Sequence, residues 1–202
     1  MDGRAFRRNL WQSYPQLTTS SLIGALLFAA FSIFWSTLAF RLGEPPFGYG
    51  PQVAGLFGLL GAAGAMVAPL AGYLTDRRGA GFTVAVGTVT TAIAFVVFML
   101  AGSSLVMLAL GVVLLDVGIQ AAMNGNQSTV LSLAPQATSR TNTIYMVIYF
   151  IGGALGSYTG GLAWHHFGWP GVTALGLLYS CAAVFVRITA WMPATTGVIK
   201  RA

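Results

Sequence analysis

Six long apolar stretches fill almost all of this 202-residue chain, and they constrain its fold more than any other feature. Each is about as long as the roughly 20 residues that a helix needs to cross the hydrocarbon core of a bilayer. In lipid, every backbone N–H and C=O group needs a partner within the protein, so such stretches are expected to be helices. The predicted spans are residues 21–40, 50–74, 82–101, 105–126, 143–165 and 170–191. The sequence therefore predicts an all-α membrane protein with six transmembrane helices.

The composition favours the same class and excludes several others. Charged residues make up only 7% of the chain, too few to cover the surface of a soluble domain of this size. The basic residues are scattered singly or in pairs, so nucleic acid is not an expected partner despite the net charge of +6. Cys181 is the only cysteine, and the adjacent His165 and His166 have no carboxylate near them in sequence. No metal site and no organic cofactor are therefore predicted.

Lys and Arg residues are distributed unevenly between the two predicted sides of the membrane. One side carries Arg4, Arg7, Arg8, Arg77, Arg78, Arg140, Lys200 and Arg201. The opposite side carries only Arg41. By the positive-inside rule, the first side faces the cytoplasm, and both termini are expected there. Residues 1–20 are then a cytoplasmic basic lead-in, residues 21–191 the helix bundle, and residues 192–202 a cytoplasmic tail.

A carboxylate lies about halfway along the fourth predicted span, where a charge is costly and normally functional. After Asp116, the polar residues Gln120, Asn124 and Gln127 follow at spacings of four, four and three. At 100° per residue, the four side chains fall within an arc of about 80° on a helix. This polar stripe must line a cavity or meet another helix. Two interpretations stay open for Asp116: a proton or substrate site, or a structural carboxyl group hydrogen-bonded to a neighbouring helix.

The fifth predicted span carries small residues at every fourth position. Gly152, Gly156 and Gly160 form a groove that lets another helix approach closely. The groove indicates either tight static packing or a smooth face for helices that slide or rock. Tyr145 and Tyr149 share this face and are candidates to line the same cavity as the polar stripe. Spans two and five are both glycine-rich and are the middle members of two three-helix groups, which fits a 3+3 internal repeat.

The loop between spans two and three carries the most specific motif. It reads Gly-Tyr-Leu-Thr-Asp-Arg-Arg-Gly over residues 72–79. Asp76 can cap the amino terminus of the next helix, where orphan N–H groups favour a negative charge, or hold an arginine of a neighbouring loop. The motif resembles the cytoplasmic-loop signature of the major facilitator superfamily. The matching positions are Gly72, Leu74, Asp76, Arg77 and Gly79.

The resemblance extends over nearly all of residues 20–195. Residues 140–145, 152–157 and 168–169 resemble the carboxyl-terminal half of the drug–proton antiporter and sugar-efflux branch of bacterial transporters. The family implies a twelve-helix transporter built from two six-helix halves that rock around a substrate site between them. In that fold Gly72, Asp76, Arg77 and Gly79 would belong to the cytoplasmic gate.

The resemblance also sets the functional expectation. The chain is expected to be one half of such a transporter in the bacterial inner membrane, moving a small organic solute by proton-coupled efflux. A second copy of the chain or a separate six-helix half would complete it. The alternative is a truncated membrane fragment or assembly partner without transport activity, which acts only by helix association. A single mid-membrane acid, with no Ser–His or paired-Asp arrangement, predicts no enzymatic activity.

Overall fold

The computed structural model describes residues 15–66 and 68–196, and every regular element within these ranges is an α-helix. The helices are α1 (Pro15–Gly43), α2 (Pro51–Ala65), α3 (Ala68–Arg78), α4 (Ala80–Leu100), α5 (Leu105–Leu133) and α6 (Thr138–Thr196). The all-α prediction is confirmed for these residues. Most of the predicted lead-in and part of the predicted tail lie outside the described residues.

Four of the described helices are long and apolar enough to cross a membrane: α1, α4, α5 and α6. Several helices extend beyond the predicted spans, since a helix can continue past the hydrocarbon core. At the start of α1, Pro15 occupies the first helical position. An N–H group at this position has no acceptor within the helix, so its absence from proline costs nothing, and the fixed φ of proline suits the helix.

The second predicted span is not one continuous helix, because α2 ends at Ala65 and α3 begins at Ala68. Pro69 is the second residue of α3. A proline is tolerated in the first turn of a helix but clashes with a preceding helical turn, which accounts for the break. The helix then continues to Arg78, four residues past the predicted end of the span.

The expected helix cap at Asp76 is wrong. Asp76 lies inside α3. The N-cap residue of α4 is Gly79, and no side-chain hydrogen bond caps this helix. Gly79 has a φ of 86°, a conformation that only glycine adopts readily. The turn therefore depends on the backbone freedom of glycine rather than on a capping carboxylate.

The 59-residue helix α6 is divided into two limbs at Gly168, whose φ of 61° and ψ of −152° are not helical. The second limb runs antiparallel to α4. At one end the Trp169 Nε1–H donates to the Phe98 carbonyl over 3.2 Å, and at the other the Arg187 Nε–H donates to the Gly81 carbonyl over 3.1 Å. Residues 138–167 and 169–196 are therefore separate helical limbs.

The first limb of α6 packs parallel to α1 through its row of glycines. The contacts pair Gly152 with Ala25, Gly156 with Ala29, and Gly160 with Ile33. At the first two positions, an added Cβ would meet the backbone carbonyl of the alanine that faces it. The two helix backbones are thus as close as glycine allows, and the approach requires these small residues.

An aromatic cluster closes the end of the bundle where α6 is divided. The Phe34 and Phe98 rings stack at 4.3 Å between centroids, and the Trp169 ring meets both edge-on at 6.2 Å. The Arg41 guanidinium lies over the Trp169 ring and donates to the Gly102 carbonyl. These contacts tie α1, α4 and the second limb of α6 together at this end.

Replacing Gly168 with Ala should destabilise the protein by about 1–3 kcal/mol, the cost of holding a residue with a Cβ in a sparsely populated backbone region. Thermal unfolding of the purified full chain in detergent measures the effect. Gly161→Ala is the matched control on the same helix, because a Cβ there meets nothing within 4 Å. Equal unfolding midpoints for the two variants would contradict a conformational requirement at Gly168.

Candidate functional site

The candidate site is built around Asp116, near the middle of the apolar helix α5. Its side chain is only 8% exposed. Its Oδ2 atom is buried and has no hydrogen-bond partner among the described residues. A buried polar atom without a partner costs free energy, and a charged carboxylate costs more. The arrangement therefore favours a proton or a cationic group at this oxygen.

Three helices converge at the Asp116 carboxyl group. Gly61 of α2 lies so close that an added Cβ would be 3.3 Å from Asp116 Oδ2 and 2.8 Å from Cζ2 of Trp35 in α1. The Trp35 Nε1 atom is also buried without a hydrogen-bond partner in the described part of the chain. An unsatisfied acceptor and an unsatisfied donor thus lie near one glycine at the junction of α1, α2 and α5.

The polar stripe continues from Asp116 along α5 to an open groove. Gln120, Asn124 and Gln127 are all half-buried. Asn124 and Gln127 line a groove of about 550 Å³ together with Gly72 and Asp76 of α3. The end of the polar stripe and two residues of the motif at 72–79 therefore border the same groove.

The other residues of the motif surround the turn from α3 to α4. The Arg77 guanidinium lies over the Tyr73 ring at 4.7 Å from its centroid. An added Cβ at Gly72 or Gly79 meets nothing within 4 Å, so close packing does not require glycine at either position. Gly79 is required by its positive φ, while Gly72 borders the groove.

Tyr145 and Tyr149 lie in a separate buried cluster between α1, α5 and the first limb of α6. The Tyr149 ring stacks on Phe28 at 4.2 Å, and its hydroxyl donates to the Met123 sulfur over 3.9 Å. Met123 is seven residues after Asp116, two helical turns along the same face of α5. The tyrosines therefore pack beside the polar stripe, away from the junction of Asp116 with Trp35.

No group of three or more His, Cys, Asp or Glu side chains within the described ranges is placed to hold a metal ion. The site presents one carboxyl group, the side-chain amides of the polar stripe and the Trp35 indole. A carboxyl group in this setting can take up and release a proton or pair with a cationic group.

Replacing Gly61 with Ala should disturb the site without adding or removing a polar group. The new methyl group would overlap the Trp35 ring and press on Asp116, so the indole must move. We expect the transport that the family resemblance implies to fall at least tenfold, on the scale of about 1.4 kcal/mol for each factor of ten. Gly58→Ala, one turn earlier where an added Cβ meets nothing within 4 Å, is the control. Equal transport rates for the two variants would contradict a role for this contact.

An apolar helical bundle around a buried carboxyl group is the architecture of a multi-pass membrane protein. The sequence model of the Major Facilitator Superfamily matches residues 17–201, and the chain belongs to this family. The family resemblance drawn from the motif at residues 72–79 is thus confirmed.

Similar proteins carry transporter names. Over 160 residues the chain is 40% identical to the "Uncharacterized transporter YgaY" of Escherichia coli O157:H7, covering 79% of this chain and 41% of that protein. It is 39% identical over 163 residues to the "Probable transporter SCO4007" of Streptomyces coelicolor, covering 80% of this chain and 37% of that protein. The chain therefore spans less than half the length of these relatives.

Proposed function

We propose that the chain forms half of a membrane transporter that moves a small organic solute across the bacterial inner membrane by alternating access, driven by proton-coupled efflux. Membership of the Major Facilitator Superfamily and the transporter names of its relatives support the class of activity. The observation that carries the proposed mechanism is the buried Asp116 Oδ2 atom without a hydrogen-bond partner in the described chain.

Asp116 is the proposed proton or substrate group because its surroundings disfavour a lone negative charge. When the site is closed to water, as here, a bound proton or a cationic solute group removes the cost of burying that charge. When the site opens, water stabilises the carboxylate and the proton or solute can leave. Opening and closing of the Trp35–Gly61–Asp116 junction would therefore couple protonation to the conformation of the bundle.

The polar stripe is the proposed route between this junction and the cytoplasm. From Asp116 to Gln127 the stripe extends about 16 Å along the helix, at roughly 1.5 Å per residue, and Gln120, Asn124 and Gln127 present hydrogen-bonding groups along it. The groove at the end of this stripe is bordered by Asp76, which together with the neighbouring Arg77 is the proposed cytoplasmic gate.

The proposed architecture has six membrane crossings over residues 21–191, in a 3+3 arrangement, with both termini in the cytoplasm. Helices α2 and α3 together supply the second crossing, and the two limbs of α6 supply the fifth and sixth. The division of α6 at Gly168 and the antiparallel packing of its second limb on α4 support this count. The excess of basic residues on one side supports the orientation.

A second copy of the chain or a separate six-helix half is the proposed partner. The relatives are more than twice as long as the segments that match. In addition, α2 and α3 expose large apolar side chains, including Leu56, Leu59 and Leu70, each more than half exposed. These side chains offer a surface to lipid or to another helical bundle.

The alternative function is that of a membrane fragment or assembly partner without transport activity. The exposed apolar side chains of α2 and α3 offer a surface for such a role. The glycines of α6 do not, because Gly152, Gly156 and Gly160 already pack against α1 within this chain. An assembly role would therefore use a different surface.

The test is a flux measurement in proteoliposomes that contain the full chain, alone or as a tandem fusion of two copies. An internal pH dye reports proton movement after addition of ethidium, an amphipathic cation, or lactose, a sugar. We expect proton movement that depends on one of these probes and is absent from protein-free liposomes. Absence of probe-dependent flux from both forms, with the protein inserted, would support the alternative function instead.

A further inference from the structure

A row of aromatic rings on α1 leads to the Asp116 carboxyl group. Phe28, Phe31 and Trp35 are spaced three and four residues apart, so at 100° per residue they fall within an arc of about 60° on the helix. The Phe28 and Phe31 ring centroids are 5.8 Å apart, and those of Phe31 and Trp35 are 6.0 Å apart. Each ring therefore lies next to the following one, over about 10 Å of helix.

The row ends beside the carboxyl group because Gly61 has no side chain to separate the two. The position of an added Cβ at Gly61 lies 2.8 Å from Cζ2 and 3.1 Å from Cη2 of Trp35, and 3.3 Å from Asp116 Oδ2. Both carbons belong to the six-membered ring of the indole. The carboxyl oxygen and the last ring of the row therefore border the same point.

The rings and the carboxyl group differ in burial. Phe28, Phe31 and Trp35 are all half-buried, so each leaves some aromatic surface uncovered. Asp116 is only 8% exposed, and its Oδ2 atom has no hydrogen-bond partner among the described residues. The faces of aromatic rings carry partial negative charge and attract cations, most strongly for tryptophan. The row and the carboxyl group thus both favour positive charge, and the uncovered rings also favour an apolar body.

We propose that the solute recognised at this site is a flat organic cation, whose charge pairs with Asp116 while its rings lie along Phe28, Phe31 and Trp35. This inference rests on the proposed function, because it identifies the class of solute that meets Asp116. A neutral sugar can also lie against aromatic rings, but its hydroxyl groups leave the charge of a buried carboxylate in place. A cation removes that charge, and with it the cost of burial.

The test measures binding of N-methylacridinium, a flat cation of three fused rings, to the purified full chain in a neutral detergent by fluorescence anisotropy. Just above neutral pH, acridine has the same rings without the charge, whereas tetramethylammonium has the charge without the rings. We expect N-methylacridinium to bind saturably, and each competitor to need at least about tenfold higher concentration to displace half of it. Absence of saturable binding, or equal potency of either competitor, would overturn the proposal.

Asp116→Asn removes the charge and keeps the shape of the side chain. It should weaken binding of N-methylacridinium at least about tenfold, because an ion pair shielded from water is stronger than one in water. Glu44→Gln is the matched control, since it removes one negative charge from an exposed residue that follows α1. Its effect on the affinity should be less than about twofold, because exposed charges are screened by salt. Equal affinities of these two variants would also overturn the proposal.

A second pair of variants keeps the test decisive if Asp116→Asn fails to fold. Phe31→Leu removes the middle ring of the row and should weaken binding about threefold, the scale of one cation–π contact. Phe40→Leu is the control, because Phe40 lies on the opposite face of α1, where its ring meets that of Trp164 at 5.9 Å between centroids. If both phenylalanine variants bind N-methylacridinium with the same affinity, the aromatic row has no part in recognition and the proposal fails.

Binding and flux together separate this inference from the proposed function. Lactose-dependent flux in proteoliposomes, without saturable binding of N-methylacridinium, would overturn the inference and leave the proposed function in place. Binding that depends on Asp116 and Phe31, without flux of either transport probe, would support the inference about the site and contradict transport by the chain.

Discussion

We expect Asp116→Asn to abolish the proposed proton-coupled transport and to leave membrane insertion intact. The amide has nearly the same shape as the carboxyl group, so packing against Gly61 and Trp35 is kept. It cannot take up and release a proton, so the cycle that links protonation to opening of the site is broken. We expect the probe-dependent proton movement in proteoliposomes to fall to that of protein-free liposomes. The yield of monodisperse protein after extraction in detergent checks insertion and folding.

Asp76→Asn is the matched control, because it makes the same chemical change in an exposed residue of the family motif. Asp76 borders the cytoplasmic groove rather than the buried junction, so this variant should slow transport while each transported solute still moves protons. Unchanged proton coupling in Asp116→Asn would assign Asp116 to the structural interpretation. The proposed proton site would then be lost, while the family membership would stand.

The sequence predicted the helical, apolar character of the chain well, for a physical reason. In lipid, the backbone N–H and C=O groups of a spanning segment can hydrogen-bond only to one another, so composition alone predicts helices. The bounds of the helices were less predictable, because helical hydrogen bonding can continue past an apolar run, as it does in α5 to Leu133. The break between α2 and α3 was predictable from Pro69, whereas the continuous apolar run around it indicated a single helix.

The candidate site was predictable only as far as it lies on one helix. The spacing of Asp116, Gln120, Asn124 and Gln127 defines one face of α5, so periodicity finds it. Contacts between helices leave no such signal. Gly61 is one of several glycines in its segment, and nothing in the sequence distinguishes it from Gly58. The cap expected at Asp76 failed because α3 continues through that residue and the backbone of Gly79 makes the turn.

Gly156→Leu should strongly destabilise the protein through the α1–α6 contact. A Cβ alone at this position would overlap the backbone of Ala29, and a leucine adds three more carbon atoms. Side-chain rotation cannot relieve a collision with backbone, so the two helices must separate along the whole glycine row. We expect a loss of at least about 3 kcal/mol, the upper end for overpacking. Unfolding of the purified chain, titrated with sodium dodecyl sulfate in a mild detergent, measures it.

Gly161→Leu is the matched control, because Gly161 is exposed on the same helix and an added Cβ there meets nothing within 4 Å. It should leave stability within about 1 kcal/mol of the original, with any gain coming from the better helix propensity of leucine. A smaller change, Gly156→Ala, distinguishes the two interpretations of the glycine row, static packing and a face along which helices move. If Gly156→Ala lowers stability and transport in proportion, the row acts as static packing. If Gly156→Ala slows transport far more than it lowers stability, the same close contact must also permit movement of α1 against α6.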